Sequence, residues 1–351
     1  MPNLTVEPLG LTIEVKDDQT MLDACLRNGI WLPHACSHGR CSTCKVEVLD
    51  GDVDHGDAST FALMDVEREA GQTLACCATL RGDVTIEAEI EEDEDAEHHP
   101  VEDHVGVIKE ISVLAPEIKK VVLELPGAGL MFQAGQYINL HIPGLDKPRA
   151  FSIASAPHDK NVVELHVRQV PNGKGTTWIH EEAEEGMEMR FTGPLGRFFV
   201  RRSRSRPMVF VAGGSGLSSP WSMVVDELKK GQDMPMTLIH GARRPDGLYY
   251  REALEQLAAE HPDFEYIPVI SEPEAVEGWT GETGMAHEAL HRRFEGRFGG
   301  MSAYLCGPPP MIEACIKTLM KGRLFEQDIY TEKFVTNEED AGAKSPLFKH
   351  I

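Results

Sequence analysis

The sequence predicts a multidomain α+β and α/β protein. A small domain of mixed strand and helix comes first, an antiparallel β-barrel second and a doubly wound parallel sheet last. Three observations lead there. Residues 1–91 mix alternating strand patterns with short helical ones and hold Cys36, Cys41 and Cys44 in the spacing C-x4-C-x2-C. Six short alternating apolar stretches, cut by proline and glycine, fill residues 104 to about 200. Beyond Arg206, buried-strand patterns alternate with amphipathic helical ones, as in a parallel sheet covered by helices.

The chain opens with LTVEPLGLTIEV, which alternates and turns at Pro8-Leu9-Gly10, predicting a hairpin. Thr20 is then an N-cap with Asp23 three residues on, Met21, Leu22, Cys25 and Leu26 form an apolar stripe, and Gly29 stops the helix. Cys25 is therefore a core residue. KVEVLDGDV reads as strand and turn, FALMDVEREA as a short helix and DVTIEAEI as a closing strand. Between them, HACSHGRCSTCKV supplies three thiolates from nine residues, the pattern of a plant-type 2Fe-2S cluster with a fourth cysteine downstream in LACCATL. Gly39 permits the backbone to curl so that amides face the sulfurs, and Ser37, Arg40, Ser42 and Thr43 place no large apolar group in the way. A zinc site or a disulfide pair would also use cysteines, but zinc knuckles pair two C-x2-C units and only one is present. The stretch resembles ferredoxin domains, and the strand–helix–strand mixture resembles the ferredoxin β-grasp. That resemblance implies the fourth ligand: in ferredoxins it follows a leucine and one small residue, as Cys76 does in Leu74-Ala75-Cys76, which leaves Cys77 as a packing residue.

A formal net charge of −23 over 351 residues excludes nucleic acid and an anionic membrane surface as natural partners and favours an acidic docking face or plain solubility. Residues 1–91 alone hold 17 acids and 6 bases. Eight irregularly spaced cysteines are no secreted disulfide framework, and no signal peptide or membrane span is legible, so the chain reads as cytoplasmic. From Glu87 to Asp103 the apolar rhythm gives way to a run of like charge, which reads as a solvated linker. His98, His99 and His104 within and beside it read as hydrated histidines rather than metal ligands. The expected division is 1–95 for the cluster domain, 96–103 for the linker, 104–203 for the barrel, 204–335 for the nucleotide domain and 336–351 for a tail.

The barrel strands are expected in VGVIKEISV, IKKVVLEL, QYINLHI, RAFSIAS, VVELHVRQV and MEMRFTG. Among them Arg149-Ala150-Phe151-Ser152 is followed by Gly173-Lys174-Gly175-Thr176-Thr177 ahead of the helical WIHEEAEEG, and then by Gly193-Pro194-Leu195-Gly196-Arg197-Phe198. A glycine-rich turn into a helix offers free amides and a positive dipole end to a diphosphate. In this order the three segments resemble the R-x-Y/F-S, glycine–threonine and G-P-x-G-x-F motifs of the ferredoxin-NADP reductase superfamily. The resemblance implies FAD, with Arg149 pairing to its diphosphate, Ser152 near the reactive edge of its ring system and Gly175, Thr176 and Thr177 at the diphosphate. Phe151 stands where many relatives have tyrosine, so ring packing replaces any hydroxyl bond.

The α/β part runs PMVFVAGG, LSSPWSMVVDELKKG, MTLIHGAR, LYYREALEQLAAEHP, FEYIPVIS, GMAHEALHRRFEG and SAYLCGPPP, four strands interleaved with three helices. Gly213-Gly214-Ser215-Gly216 stands at the first strand-to-helix turn, where amides meet a pyrophosphate, without the generic G-x-G-x-x-G. This segment and Cys306-Gly307-Pro308-Pro309-Pro310-Met311 resemble the same superfamily, which implies that Cys306 sits beside nicotinamide and that Gly307 and Pro308 shape the pocket. Tyr330-Thr331-Glu332-Lys333-Phe334 resembles its terminal E-x-[FY], implying that Glu332 belongs to the site and that the Phe334 ring covers the flavin.

The order of cluster, flavin and nucleotide domains resembles the reductase components of bacterial multicomponent oxygenases, and the strings FALMDVERE, GGSGLSSP and CGPPPMI look most like phenol hydroxylase reductases. The family implies NADH as donor, a cluster near about −400 mV and a diiron hydroxylase as acceptor. NADH gives electrons in pairs whereas a cluster takes them singly, so a flavin must stand between. A reductase serving a Rieske dioxygenase would look the same, and a flavin-free 2Fe-2S sensor is the alternative from another class.

Overall fold

The computed structural model describes residues 1–34, 37, 39–40, 42–90, 93–231, 233–273 and 278–334. Cys36 and Cys41, and the tail expected at 336–351, lie outside the described residues. The described residues form two compact units, one taking Met1–Glu94 and His98–Glu102, the other Asp95–Glu97 and the described residues from Asp103 to Phe334.

In the first unit, β1 (Asn3–Glu7) and β2 (Leu11–Glu14) form the expected hairpin. Helix α1 (Met21–Arg27) starts where capping predicts, since Thr20 Oγ1 accepts from the Asp23 amide. Its stripe of Met21, Leu22, Cys25 and Leu26 is buried, and burial pushes the Cys25 thiol up to about 12, as suits a core residue. Then come β3 (Lys45–Asp50), β4 (Val53–Asp54), α2 (Asp65–Glu69), β5 (Gln72–Leu74), β6 (Thr79–Leu80) and β7 (Val84–Glu87). The main sheet runs β2-β1-β7-β3-β5, with β4 and β6 paired apart from it. β1 and β7 lie parallel at its centre, where Leu4, Val6, Val84 and Ile86 alternate into the core.

In the second unit, β8 (Glu102–Ala115), β9 (Ile118–Glu124), β10 (Tyr137–His141), β11 (Arg149–Ser152), β12 (Val162–Arg168) and β13 (Glu188–Leu195) fall on the six expected stretches. They pair in the order β11-β10-β13-β8-β9-β12, and a bridge between Ile153 and Leu165 joins the two edges. Closure removes both exposed edges and encloses Ile108, Leu123, Ile138, Leu140, Leu165 and Phe191. α3 (Lys174–Glu181) lies between β12 and β13. The acidic stretch is not wholly solvated as expected: the Gln133 side chain donates to Asp95 O at 2.7 Å, and Ser203 Oγ donates to the Asp95 carboxylate at 2.5 Å. His104 is half-buried, with its ring stacked on Phe191 at 5.1 Å.

The α/β part contains β14 (Met208–Gly213), α4 (Ser218–Lys229), β15 (Met236–Ala242), α5 (Arg251–Glu260), β16 (Phe264–Ile270), β17 (Glu282–Thr283), α6 (Ala286–Phe294), β18 (Ser302–Gly307), α7 (Pro309–Lys321) and β19 (Ile329–Lys333). Four strands were expected. β17 is too short to show a period, and β19 is read from sequence as a motif rather than a strand. All pairings are parallel, in the order β17-β16-β15-β14-β18-β19. The chain moves outward on one side of β14 and then resumes on the other with β18, so the order reverses between these two strands. Ligands of such sheets bind at the carboxyl ends on either side of that reversal. Gly213–Leu217 and Cys306–Pro310 both lie there. Among the described residues no helix is long and apolar enough to cross a membrane.

His240 is fully buried on β15; among the described residues it donates or accepts only toward Tyr266 Oη at 3.2 Å, and its Nε2 has no partner there. Burial lowers its pKa to about 3. Between the unfolded value near 6.5 and about 3 the unfolded chain binds the extra proton, so stability is lost as pH falls through this window, by up to about 1.4 kcal/mol per pH unit. Denaturant midpoints measured from pH 7 to 4.5 are expected to fall less steeply in His240→Asn than in the parent.

Candidate electron-transfer sites

Around the cysteines, backbone bonds leave little freedom. The Ala75 amide donates to Cys44 O at 2.9 Å, and the first amides of α1 hold the same segment, Leu22 N to Ala75 O at 2.9 Å and Met21 N to Ala78 O at 3.0 Å. The buried Cys76 thiol is hydrogen-bonded with Cys44, and that bond together with burial pushes its pKa far up. Two buried thiols sharing one hydrogen do not ionise together unless a cation compensates them, and an iron–sulfur core is such a centre. The Cys77 sulfur is hydrogen-bonded with Cys76 Sγ at 3.7 Å and lies under the turn of the cluster loop, where a Cβ placed on Gly39 would lie 2.6 Å from it.

In the second unit, three sequence-distant segments meet at Glu332 on β19. Its Oε2 accepts from Ser152 Oγ at 2.9 Å, from Ser219 Oγ at 2.7 Å and from Cys306 Sγ at 3.5 Å. Burial raises the Glu332 pKa, and the three donors oppose the rise. Burial and the adjacent Glu332 push the Cys306 thiol up as well, so it stands as a neutral donor. Ser152, Cys306 and Glu332 are thus brought together, whereas Ser219 was missed although it lies in the quoted string GGSGLSSP. Tyr137 was missed too: it pairs with Ser152 across β10 and β11, and burial with Glu332 nearby raises its phenol pKa. No spacing in the sequence ties either residue to Glu332.

Arg149 and α3 flank one place. A Cβ on Gly175 would lie 3.2 Å from Arg149 Cγ and 2.9 Å from Ile142 Cδ1, so only glycine lets the helix start this close to the strand. The Arg149 guanidinium donates to Lys147 O and Pro148 O. Thr176 Oγ1 donates to Gly173 O and accepts from the Val170 amide, and the Thr177 amide donates to Gly173 O at 2.9 Å. The hydroxyl of Thr176 therefore closes the turn, and the helix-start amides are what remains for a diphosphate. Phe151 is half-buried against the barrel core.

At the reversal point, Gly216 is packed so tightly that a Cβ would stand 2.5 Å from Cys306 O and 2.6 Å from Gly307 Cα. Gly213 lies against Met311 and Pro308, and Ser215 O accepts from Ser218 Oγ at 2.9 Å. The two glycine segments thus form one floor. Phe334 packs against the core of the α/β part, with its amide on Gly307 O at 3.2 Å.

A thiol cluster loop, a closed barrel with an arginine beside a helix start, and a parallel sheet with a glycine floor define a flavin- and iron–sulfur-dependent oxidoreductase. Known domains match in the same order: a 2Fe-2S iron–sulfur cluster binding domain over residues 4–81, an oxidoreductase FAD-binding domain over 106–200 and an oxidoreductase NAD-binding domain over 210–317. The reductase component of phenol 2-monooxygenase from Pseudomonas sp. strain CF600 is 50% identical over 351 residues, 99% of each chain. The phenol hydroxylase P5 protein of Acinetobacter pittii strain PHEA-2 is 50% identical over 350 residues, again 99% of each. Among solved structures, the Amycolatopsis cytochrome P450 reductase GcoB is similar at TM-score 0.85 and 33% identity, over 95% of this chain and 99% of that one. The chain belongs to the family of phenol hydroxylase reductase components. Its cofactors are a 2Fe-2S cluster, FAD and NAD.

Proposed function

We propose that this protein takes electrons from NADH and delivers them, one at a time, to the diiron hydroxylase of a phenol-oxidising monooxygenase in the cytoplasm. The observation that carries the reading is the convergence of Ser152, Ser219 and Cys306 on Glu332, at the join of the flavin barrel and the nucleotide sheet. A bound flavin supplies a group that accepts a hydride and releases electrons singly, which a one-electron cluster requires. Cys36, Cys41, Cys44 and Cys76 would hold the cluster. Arg149 and the start of α3 would hold the flavin diphosphate, and Gly213–Gly216 with Gly307 and Pro308 would receive the dinucleotide. Ser152, Cys306 and Glu332 would line the polar wall that receives the flavin and the nicotinamide, with Phe334 beside it. The matched ranges and the three main sheets support the division into 1–95, 104–203 and a nucleotide domain from 204, Asp95–Glu97 pack with the second unit rather than with the cluster domain, and the tail at 336–351 lies outside the described residues.

The acidic cluster domain gives the hydroxylase an electrostatic target, and steering raises association rates more than it deepens affinity. Hydroxylase reduction is therefore expected to fall steeply as the Debye length shrinks from about 30 Å at 0.01 M salt to about 8 Å at 0.15 M. NADH–ferricyanide turnover, which needs no protein docking, is expected to change little. A flat hydroxylase curve removes the docking face, and activity only with a Rieske oxygenase removes the diiron partner.

Arg243 and Arg244 follow β15, where a 2′-phosphate would be met, but Arg244 Nε lies 4.0 Å from the Asp246 carboxylate. That acid repels a phosphate and offers an acceptor to a ribose hydroxyl. NADH is expected to exceed NADPH in kcat/KM by about tenfold or more, and Asp246→Asn to narrow the gap, as about 1.4 kcal/mol separates each tenfold step.

A further inference from the structure

Barrel strand β12 carries a polar network that the electron path does not use. His166, 5% exposed, sets Nε2 at 2.8 Å from Glu164 Oε1 and Nδ1 at 3.1 Å from Tyr249 Oη. Glu164 also accepts from Tyr250 Oη at 2.6 Å, and Tyr249 Oη lies 3.2 Å from Gly214 O in the glycine floor. Both tyrosines stand edge-on to the imidazole, and Tyr250 holds a left-handed backbone, φ 57°, at the start of α5.

Counting hydrogens exposes a competition. Burial pushes Glu164 up, but bonds from His166 and Tyr250 outweigh it and keep it ionised. Burial holds His166 below its usual value against the pull of Glu164, so the ring is neutral and carries one hydrogen. An ionised carboxylate only accepts, so that hydrogen sits on Nε2 and Nδ1 is an acceptor. Tyr249 then has one hydrogen and two acceptors, His166 Nδ1 and Gly214 O, at nearly equal distances. Protonating His166 turns Nδ1 into a donor and commits the Tyr249 hydrogen to Gly214. The charged or titratable neighbours are Glu164 on β12, Lys120 on β9 with its partner Glu110 on β8, Tyr249 and Tyr250 ahead of α5, His240 on β15 against Tyr249, and Cys306 on β18.

We propose that Tyr249 is a positioning residue that tethers the nucleotide loop at Gly214, and that His166 sets the tether's strength by competing for its one hydrogen. The loop is therefore held more tightly as pH falls and His166 gains a proton. The inference rests on the reading of this loop as the dinucleotide site only in its binding arm.

The test is hydrogen–deuterium exchange of the segment holding Gly213–Leu217 in the full holoprotein, corrected for intrinsic rates, with NAD+ affinity measured by calorimetry on the same samples from pH 7.5 to 4.5, since burial moves the His166 transition below its usual range. Tyr249→Phe keeps the ring and loses the hydroxyl. It is expected to speed exchange and weaken NAD+ binding about three- to tenfold, the effect of one hydrogen bond, and to abolish the pH dependence. His166→Phe keeps the edge-on packing but removes the competitor, so exchange is expected to be no faster than in the parent and independent of pH. A purely structural role predicts that both variants loosen the loop. Equal loosening in both, no change in either, or a persisting pH dependence in both overturns the proposal. If Tyr249→Phe fails to retain flavin, the parent's pH profile against that of His166→Phe decides. If the parent binds no NAD+, the dinucleotide reading fails, while the exchange arm still judges the tether.

Discussion

Cys76→Ser is expected to purify without the visible absorption of the cluster, keep its NADH–ferricyanide turnover and lose hydroxylase reduction to baseline. Cys77→Ser, one residue on, is expected to retain all three. The difference follows from the clasp on residues 74–78. With Ala75 bonded to Cys44 and Leu22, and Ala78 bonded to Met21, neighbouring side chains are sent to different places. Cys76 meets the buried Cys44, and Cys77 goes under Gly39. Serine at position 76 puts a poor soft-metal ligand where thiolate is required. At position 77 it loses only packing. The two sulfurs are 3.7 Å apart, so the rival outcome is definite: a cluster that survives Cys76→Ser and is lost in Cys77→Ser gives the fourth ligand to Cys77.

Glu332→Ala is expected to slow NADH-driven bleaching of the flavin by about a hundredfold in stopped flow, the scale of losing alignment at a reacting centre, while flavin content stays at one per chain. One carboxylate oxygen orders Ser152, Ser219 and Cys306, and its removal leaves three donors without a common acceptor. Glu332→Gln, of nearly the same shape, is expected to lose about tenfold, because charge-assisted bonds become neutral ones of roughly half the strength. Ser152→Ala removes a single donor and should fall between the glutamine variant and the parent. Reduction rates indistinguishable from the parent in Glu332→Ala would remove this residue from the hydride-transfer site.

Much of this protein was legible in the chain because the relevant signals are local. Thr20 with Asp23 marks a helix start through one hydrogen bond, alternation marks six barrel strands through the two-residue period, and three cysteines within nine residues carry the spacing of a plant-type cluster. Motif order then named flavin and nucleotide segments, even though Gly213-Gly214-Ser215-Gly216 departs from the generic fingerprint. β17 escaped because two residues have no period, and β19 because a motif hid a strand. What only the tertiary structure decided is which side chains share a charge. The reversal of strand order between β14 and β18 carries Ser219 and Cys306 to one place, the pairing of β10 with β11 sets Tyr137 beside Ser152, and β19 delivers Glu332 to all of them. Likewise the Tyr249 hydroxyl finds Gly214 and His166 across 35 and 83 residues of chain. Sequence patterning determines elements because backbone periodicity is local. Hydrogen bonds across such separations depend on packing, which no short stretch of sequence encodes.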